Sequence, residues 1–217
     1  MNTQFAVIGL GRFGVALCEE LNAHGVEVLA IDVDEDRLRL VIDMVSHVVL
    51  SDASDEEAVS ELELERFDVV FVAIGDDINA SILTTLVLKE AGIENVWVKA
   101  KNRFHAKILE KIGADKIVSP ERDMGVKIAR KMIDSRVNEF LELGADMALA
   151  EFSITDVNAG KTIADLELMV EQGVQLLAHK RDEFVHSQPD VETLLLAGDE
   201  LILVANKHVL DLQLKAL

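Results

Sequence analysis

The chain has 217 residues, half of them hydrophobic, with 21 Lys and Arg against 40 Asp and Glu and a net charge of −19. That composition supports a sizeable core, while so acidic a surface repels phosphate backbones and anionic lipid, so no nucleic-acid partner is expected. Aromatic residues make up only 4%, with no Tyr and one Trp, which suits a parallel sheet packed by Val, Ile, Leu and Ala and not a base-stacking platform.

In chain order, short apolar runs at 5–10, 26–31, 47–50, 68–73, 95–98 and 116–118 alternate with helical patterns at 12–24, 35–44, 55–62, 77–91 and 103–112. This βαβ alternation predicts an α/β fold with a doubly wound parallel sheet of about six strands. The N-terminus runs straight into the first strand without a basic leader. No run reaches the ~18–20 uncharged apolar residues of a membrane span. The expectation is a soluble, cytoplasmic chain whose membrane role, if any, comes through a partner. Cys18 lies among Val15, Ala16, Leu17 and Leu21, a pattern that reads as a buried helix face sooner than as a reactive thiol.

Helix boundaries are readable from capping chemistry. Ser54 with Glu57 resembles a capping box, Gly92 and Gly113 stand where a left-handed C-cap suits glycine, and Pro120 suits a first helical turn. From 121 to 143 the positions Ala129, Met132, Ile133, Val137, Phe140 and Leu141 fall at helical spacing. They predict one long helix, packed on its own domain or joining another subunit. Beyond Gly144 the composition changes. Strand patterns at 147–155, 174–179, 184–186 and 200–205, with helices near 162–169 and 207–214, predict a small α+β unit. The expected organisation is therefore a nucleotide-binding domain over 1–120, a crossover or linker helix over 121–144, and an α+β domain over 145–217.

The first strand runs into Gly9-Leu10-Gly11-Arg12-Phe13-Gly14 and then a helix. In this G-x-G-x-x-G arrangement Gly9 permits the tight turn, Gly11 lets backbone approach a pyrophosphate, and Gly14 lets helix and strand pack closely. The helix N-terminus then holds the anion. Asp32 ends the second strand, 18 residues after Gly14, where an acid accepts hydrogen bonds from adenosine ribose hydroxyls. Together these features predict a Rossmann-like dinucleotide fold. Val33 follows Asp32, and Asp34 either adds negative charge, disfavouring a 2′-phosphate, or caps the next helix. Arg12, beside the phosphates, either binds phosphate oxygens or is a solvated first-turn residue.

Ligands in such sheets bind outside the carboxyl ends of the strands. Asp52 and Ala53 after the third strand, Ile74, Gly75 and Asp76 after the fourth, and Lys99, Ala100 and Lys101 after the fifth converge there, joined by His105. The lysines either neutralise phosphate or are plain surface residues. Glu121 at a helix start either faces a phosphate-bound cation or simply complements the helix dipole. An NAD-dependent oxidoreductase or a Rossmann-type redox sensor would use the same loop and the same Asp32. The oxidoreductase would also need a substrate domain and a positioned acid or base.

The runs Ala6–Gly14, Val72-Ala73-Ile74-Gly75-Asp76, Leu109–Asp115, Val118-Ser119-Pro120-Glu121 and Leu196–Leu201 together resemble the RCK family, the regulators of K+ conductance, over nearly the whole chain. One Rossmann unit and one small domain match the length of a Ktr-type cytoplasmic subunit. The resemblance implies a regulatory subunit and not an enzyme, one that binds ATP or ADP, and also NAD(H), at the glycine loop. It implies a homodimer that assembles into a homo-octameric ring under a membrane K+-translocating subunit. It implies that Arg12 contacts the terminal phosphate of ATP and that Glu121 helps hold Mg2+ or another cation at that phosphate across the dimer interface. In some relatives the C-terminal domain binds a second messenger, and no short motif in this sequence decides that point.

Overall fold

The computed structural model describes residues 3–168 and 172–217. The chain divides into two compact units, Met1–Arg122 and Asp123–Leu217.

The first unit alternates β1 (Gln4–Ile8), α1 (Arg12–Ala23), β2 (Glu27–Asp32), α2 (Glu35–Leu38), β3 (His47–Leu50), α3 (Glu56–Glu61), β4 (Val69–Val72), α4 (Ile78–Glu90), β5 (Val96–Lys99), α5 (Arg103–Lys111) and β6 (Lys116–Val118). The six strands form one sheet in the order β3-β2-β1-β4-β5-β6, and every neighbouring pair is parallel. This is the expected doubly wound sheet. Its order reverses between β1 and β4, where Ile8 lies level with both Ile31 and Val72. The carboxyl ends of β1 and β4 therefore flank the switch-point crevice in which this architecture binds ligands. Both faces are covered. Ile8, Ile31, Val72 and Val98 belong to one apolar layer, and Val7, Ala30, Phe71 and the fully buried Cys18 to the other. Burial pushes the Cys18 thiol up to about 11, helped by nearby Glu19, so it stays a protonated core group.

The short α2 departs from the helix expected over 35–44. After Leu38 the bonds from Leu40 N–H to Arg37 O and from Val41 N–H to Leu38 O span three residues, not four. The chain tightens into turns and buries Val41 without continuing the helix. The expected capping box at Ser54 is also replaced. Asp55 caps α3 by accepting the Glu57 N–H at 2.9 Å, and the Ser54 hydroxyl donates to Asp52 Oδ1 at 2.7 Å. Asp34 does cap α2, accepting the Asp36 N–H at 2.9 Å. Gly92 and Gly113 carry the positive φ (81° and 93°) expected of helix ends.

The helix expected over 121–143 stops at half that length. α6 spans Pro120–Ile133, and residues Val137–Glu142 form a strand, β7. Asp134 breaks the helix: its Oδ1 accepts the Arg136 N–H at 3.0 Å, and its carbonyl accepts the Val137 N–H. β7 joins β8 (Met147–Ser153), β9 (Gln175–Arg181), β10 (Phe184–Ser187) and β11 (Glu200–Asn206) in an antiparallel sheet of order β10-β9-β11-β8-β7, and α7 (Lys207–Ala216) follows. A bulge between Val137 and Glu139 explains the misleading periodicity. It inserts one residue, so Val137 and Phe140 pair with Phe152 and Ala150 on one face although three positions separate them. A spacing of three then imitates a helix. The helix expected near 162–169 is a single 3-10 turn at Ala164–Leu166, and residue 169 lies outside the described residues.

Candidate functional site

The glycine loop is built by three different steric demands. Gly9 has φ of 94°, a region glycine enters freely, and a Cβ there would lie 3.0 Å from both the backbone N and Cγ1 of Ile74. A Cβ on Gly14 would lie 2.0 Å from the Gly9 carbonyl oxygen, so α1 packs on the loop more closely than any side chain permits. At Gly11 nothing lies within 4 Å of the corresponding position. Gly11 thus needs no bareness for the protein's own packing and presents open backbone to solvent.

Gly11 is also the N-cap of α1, and it supplies no side-chain acceptor. The first intrahelical bond runs from the Val15 N–H to the Gly11 carbonyl at 3.0 Å. The N–H groups of Arg12, Phe13 and Gly14 accordingly have no acceptor within the helix. No acid lies in this first turn, so its partial positive charge is available to an anion.

Beside the loop lies a cavity of about 350 Å³ lined by Ile8, Gly9, Gly11, Asp32, Val33, Arg37, Ser51, Asp52, Ala53, Ser54, Ala73, Ile74, Gly75, Asp76, Asp77, Ala80 and Thr84. From the expected set, Gly9, Gly11, Asp32, Val33, Asp52, Ala53, Ile74, Gly75 and Asp76 line it together. Arg37, Ser54, Asp77, Ala80 and Thr84 are additions. Ala80 and Thr84 stand four apart on the inward face of α4, a small-residue spacing that sequence could have flagged. Asp77 caps α4 through the Ala80 N–H at 3.0 Å.

Asp32 is only 4% exposed. Its Oδ2 accepts the Leu10 N–H at 2.6 Å, its Oδ1 accepts the Asp34 N–H at 3.0 Å, and Arg37 Nη1 lies 3.8 Å away. The same carboxylate that faces the cavity therefore holds the glycine loop to the end of β2. Arg37 also lies 3.7 Å from Asp34, so the negative charge at this end of the cavity is partly neutralised. At the third strand, the Ser54 N–H and hydroxyl hold the Asp52 carboxyl below the usual range, and it stays ionised.

The remaining expected residues stand at the rim or behind it. Arg12 is an exposed first-turn residue of α1. Phe13 packs against Phe71 with ring centroids 5.7 Å apart. Lys99 Nζ forms an ion pair with Glu121 Oε1 at 2.7 Å, lies 5.6 Å from the Phe13 ring centroid, and sits 3.1 Å from where a Gly75 Cβ would be. Lys99 first, and Arg12 among lesser influences, hold the Glu121 carboxyl below its usual range. Lys101 Nζ donates to the Asp76 carbonyl at 3.1 Å, linking the β4 and β5 loops. Ala100 is buried and donates its N–H to the Val118 carbonyl. His105 is buried and does not line the cavity; its Nδ1 accepts the Lys101 N–H at 3.2 Å, which fixes the Lys99–Lys101 turn. Burial and then Lys101 hold its imidazole below the ordinary value, so it is neutral. Among the described residues no group of three or more His, Cys, Asp or Glu converges as a metal cage. Glu121 is an exposed carboxylate already paired with Lys99 at 2.7 Å.

The arrangement offers an open cleft with polar and apolar lining, a helix start whose free N–H groups suit an anion, and the nearby cations Arg12, Lys99 and Lys101. No helix among the described residues is long and apolar enough to cross a membrane.

A family model described as the TrkA-N domain matches residues 5–120, and one described as the TrkA-C domain matches residues 149–215. The Ktr system potassium uptake protein A of Vibrio alginolyticus is 50% identical over 214 residues, covering 99% of this chain and 97% of that protein. The Ktr system potassium uptake protein C of Bacillus subtilis (strain 168) is 44% identical over 206 residues, covering 95% and 93%. Among solved structures, the GsuK channel bound to NAD matches at 22% identity with a TM-score of 0.54, covering 99% of this chain and 38% of that one, which is a likeness of fold. The chain belongs to the family of paired TrkA-N and TrkA-C domains that includes the Ktr potassium uptake proteins A and C.

Proposed function

We propose that this chain is a nucleotide-binding regulatory subunit of a potassium uptake system, and that ATP and ADP compete for the cavity beside Gly9–Gly14. The observation that carries the reading is the uncapped start of α1 opening onto a cavity that ends at Asp32, in a chain 50% identical to a Ktr potassium uptake protein A. The adenosine lies in the cavity, with the ribose hydroxyls at Asp32 and the base beside Asp52 and Ala53. The phosphates run over Gly11 to the α1 N-terminus. NAD(H) has the same adenosine half and competes for the same place.

ATP differs from ADP by one phosphate, and that phosphate reaches Arg12 and a cation held in part by Glu121. A ligand shifts an equilibrium only through its difference in affinity for two states. The contacts of the third phosphate provide that difference, at a typical coupling of ~1–3 kcal/mol per site. The subunit forms a homodimer and then a homo-octameric ring beneath a membrane K+-translocating partner, where several sites act together. Its role is gating and not catalysis.

The test is titration calorimetry with ATP, ADP, NADH and NADPH, with and without Mg2+, on the wild type and on Arg12→Ala. ATP binding should respond to Mg2+, and the substitution should weaken ATP more than ADP. Equal losses for the two nucleotides would remove the role given to Arg12. Tight NADH binding with negligible ATP binding would replace the nucleotide switch by a redox sensor.

A further inference from the structure

Lys99 is the most confined cation at the cavity rim. Its side chain is 13% exposed, whereas that of Glu121, its partner at 2.7 Å, is 68% exposed. The ammonium lies over the bare backbone of Gly75, which itself lines the cavity, and the Phe13 ring 5.6 Å away flanks it from the glycine loop. A half-buried ammonium needs an anion, because desolvation without one is costly. Lys99 is fixed in place by its surroundings, while Glu121 reaches it from solvent and is held only weakly, as exposed ion pairs are. Glu121 also stands in the first turn of α6, the helix on which the chain leaves the first unit.

A phosphate tail leaving the cavity past Gly11 and Gly75 meets the Lys99 ammonium, whose charge is already taken by a carboxylate. We propose that Glu121 acts as an internal stand-in for a ligand phosphate, so that nucleotide binding exchanges the partner of Lys99 from carboxylate to phosphate and unties the first turn of α6 from β5. The inference rests on the nucleotide reading above and adds its regulation: the chain's own carboxylate competes with the ligand phosphate for Lys99. The exchange also frees the carboxylate that the nucleotide reading assigns to a cation, so Glu121 serves Lys99 or the cation but not both at full strength.

The experiment is titration of ADP and of adenosine, in EDTA, into the full chain as wild type, Glu121→Gln, Lys99→Met and the double variant. With the internal competitor removed, Glu121→Gln should bind ADP about 2–5-fold more tightly, the upper part of the range for exposed ion pairs, and adenosine within roughly 1.5-fold of wild type. Lys99→Met should weaken ADP, and in that background Glu121→Gln should change ADP affinity less than twofold. Tightening of equal size with Lys99 absent would mean general relief of negative charge and would overturn the exchange. So would unchanged or weaker ADP binding by Glu121→Gln, or equal tightening of adenosine. If Lys99→Met does not fold, Asp76→Asn, which removes a carboxylate of the cavity lining, serves as the control: ADP tightening as large as that of Glu121→Gln would mean general relief of negative charge and would overturn the exchange. A wild type that binds no ADP fails the nucleotide reading itself, which is a different result from ADP binding with additive losses.

Discussion

Gly11→Ala and Gly14→Ala separate ligand space from packing space within one loop. Gly11 has φ of −68° and ψ of −178°, which alanine adopts without strain, and its added methyl meets nothing within 4 Å. Reduced freedom of the unfolded chain favours the alanine by ~0.4–1 kcal/mol, offset by roughly 0.7 kcal/mol because alanine is a poorer N-cap than glycine. The ligand-free melting temperature should therefore stay within ~3 °C of wild type, at about 2–4 °C per kcal/mol for a chain of this size. The methyl nevertheless fills the space over which the pyrophosphate must run. Gly14→Ala is the reverse case. Its Cβ would lie 2.0 Å from the Gly9 oxygen, where real contacts essentially never fall below 3.0 Å. Loop or helix must shift by about an ångström, at ~1–3 kcal/mol for overpacking. The assay is thermal unfolding with and without ADP at a hundredfold excess over its dissociation constant. Wild type should gain about 2.7 kcal/mol, or roughly 5–11 °C. Gly11→Ala should melt like the free wild type and gain nothing from ADP, while Gly14→Ala should melt several degrees lower before any nucleotide is added. A Gly11→Ala protein that ADP stabilises as well as it does wild type would refute the placement of the phosphates over this residue.

Two further predictions concern titrating groups that hold each unit together. In the second unit Asp199 is 2% exposed and accepts from Arg181 Nε at 2.8 Å, Arg181 Nη2 at 2.6 Å and the Leu196 N–H at 2.8 Å, with His179 Nε2 at 2.9 Å. Burial works to raise its carboxyl, but the Arg181 guanidinium, the Leu196 N–H and His179 outweigh it and hold the group well below its ordinary 3.8. Its contribution is thus complete above about pH 4 and is lost as pH falls below that. Asp199→Asn should cost about 3 kcal/mol at pH 7 and flatten the acid limb of the stability curve; a variant that loses stability with acid as steeply as wild type would remove Asp199 as the cause. In the first unit the neutral, buried His105 has a value held below its ordinary 6.5 by burial and by Lys101. It stabilises above about pH 6.5, and that contribution fades as pH falls further, because the unfolded chain protonates first. Melting temperature should therefore drop more between pH 7.5 and 5.5 for wild type than for His105→Gln.

What was legible in the sequence is what depends on local rules. The six strands, the glycine loop and the acid at the end of β2 announce themselves because period, turn chemistry and spacing all agree. The four-residue spacing of Ala80 and Thr84 on α4 was present in the sequence but says nothing of which helix face the sheet covers, and the role of Arg37 was not legible because it depends on a side chain folding back five positions onto Asp32. The misread helix over 134–143 fails for a definite reason. A bulge turns the period of a strand from two to three at one place, and only the pairing of Val137 with Phe152 and of Phe140 with Ala150 reveals it.

The same contrast bears on function. Read as sequence, Asp32, Lys99 and Glu121 are three separate charges, each with one task toward a ligand. In the folded chain each already has an internal partner that a nucleotide must replace or share: Asp32 holds the Leu10 and Asp34 N–H groups, and Lys99 holds Glu121. A site whose charges already have partners within the chain binds through exchange, and the affinity it shows is the difference between two sets of contacts. On the proposed exchange, ADP and ATP both take Lys99 from Glu121, and the carboxylate so freed is what remains for the cation that the nucleotide reading places at the third phosphate of ATP. On that proposal the two nucleotides, which share one adenosine, differ only in whether the freed Glu121 carboxylate finds a cation to hold.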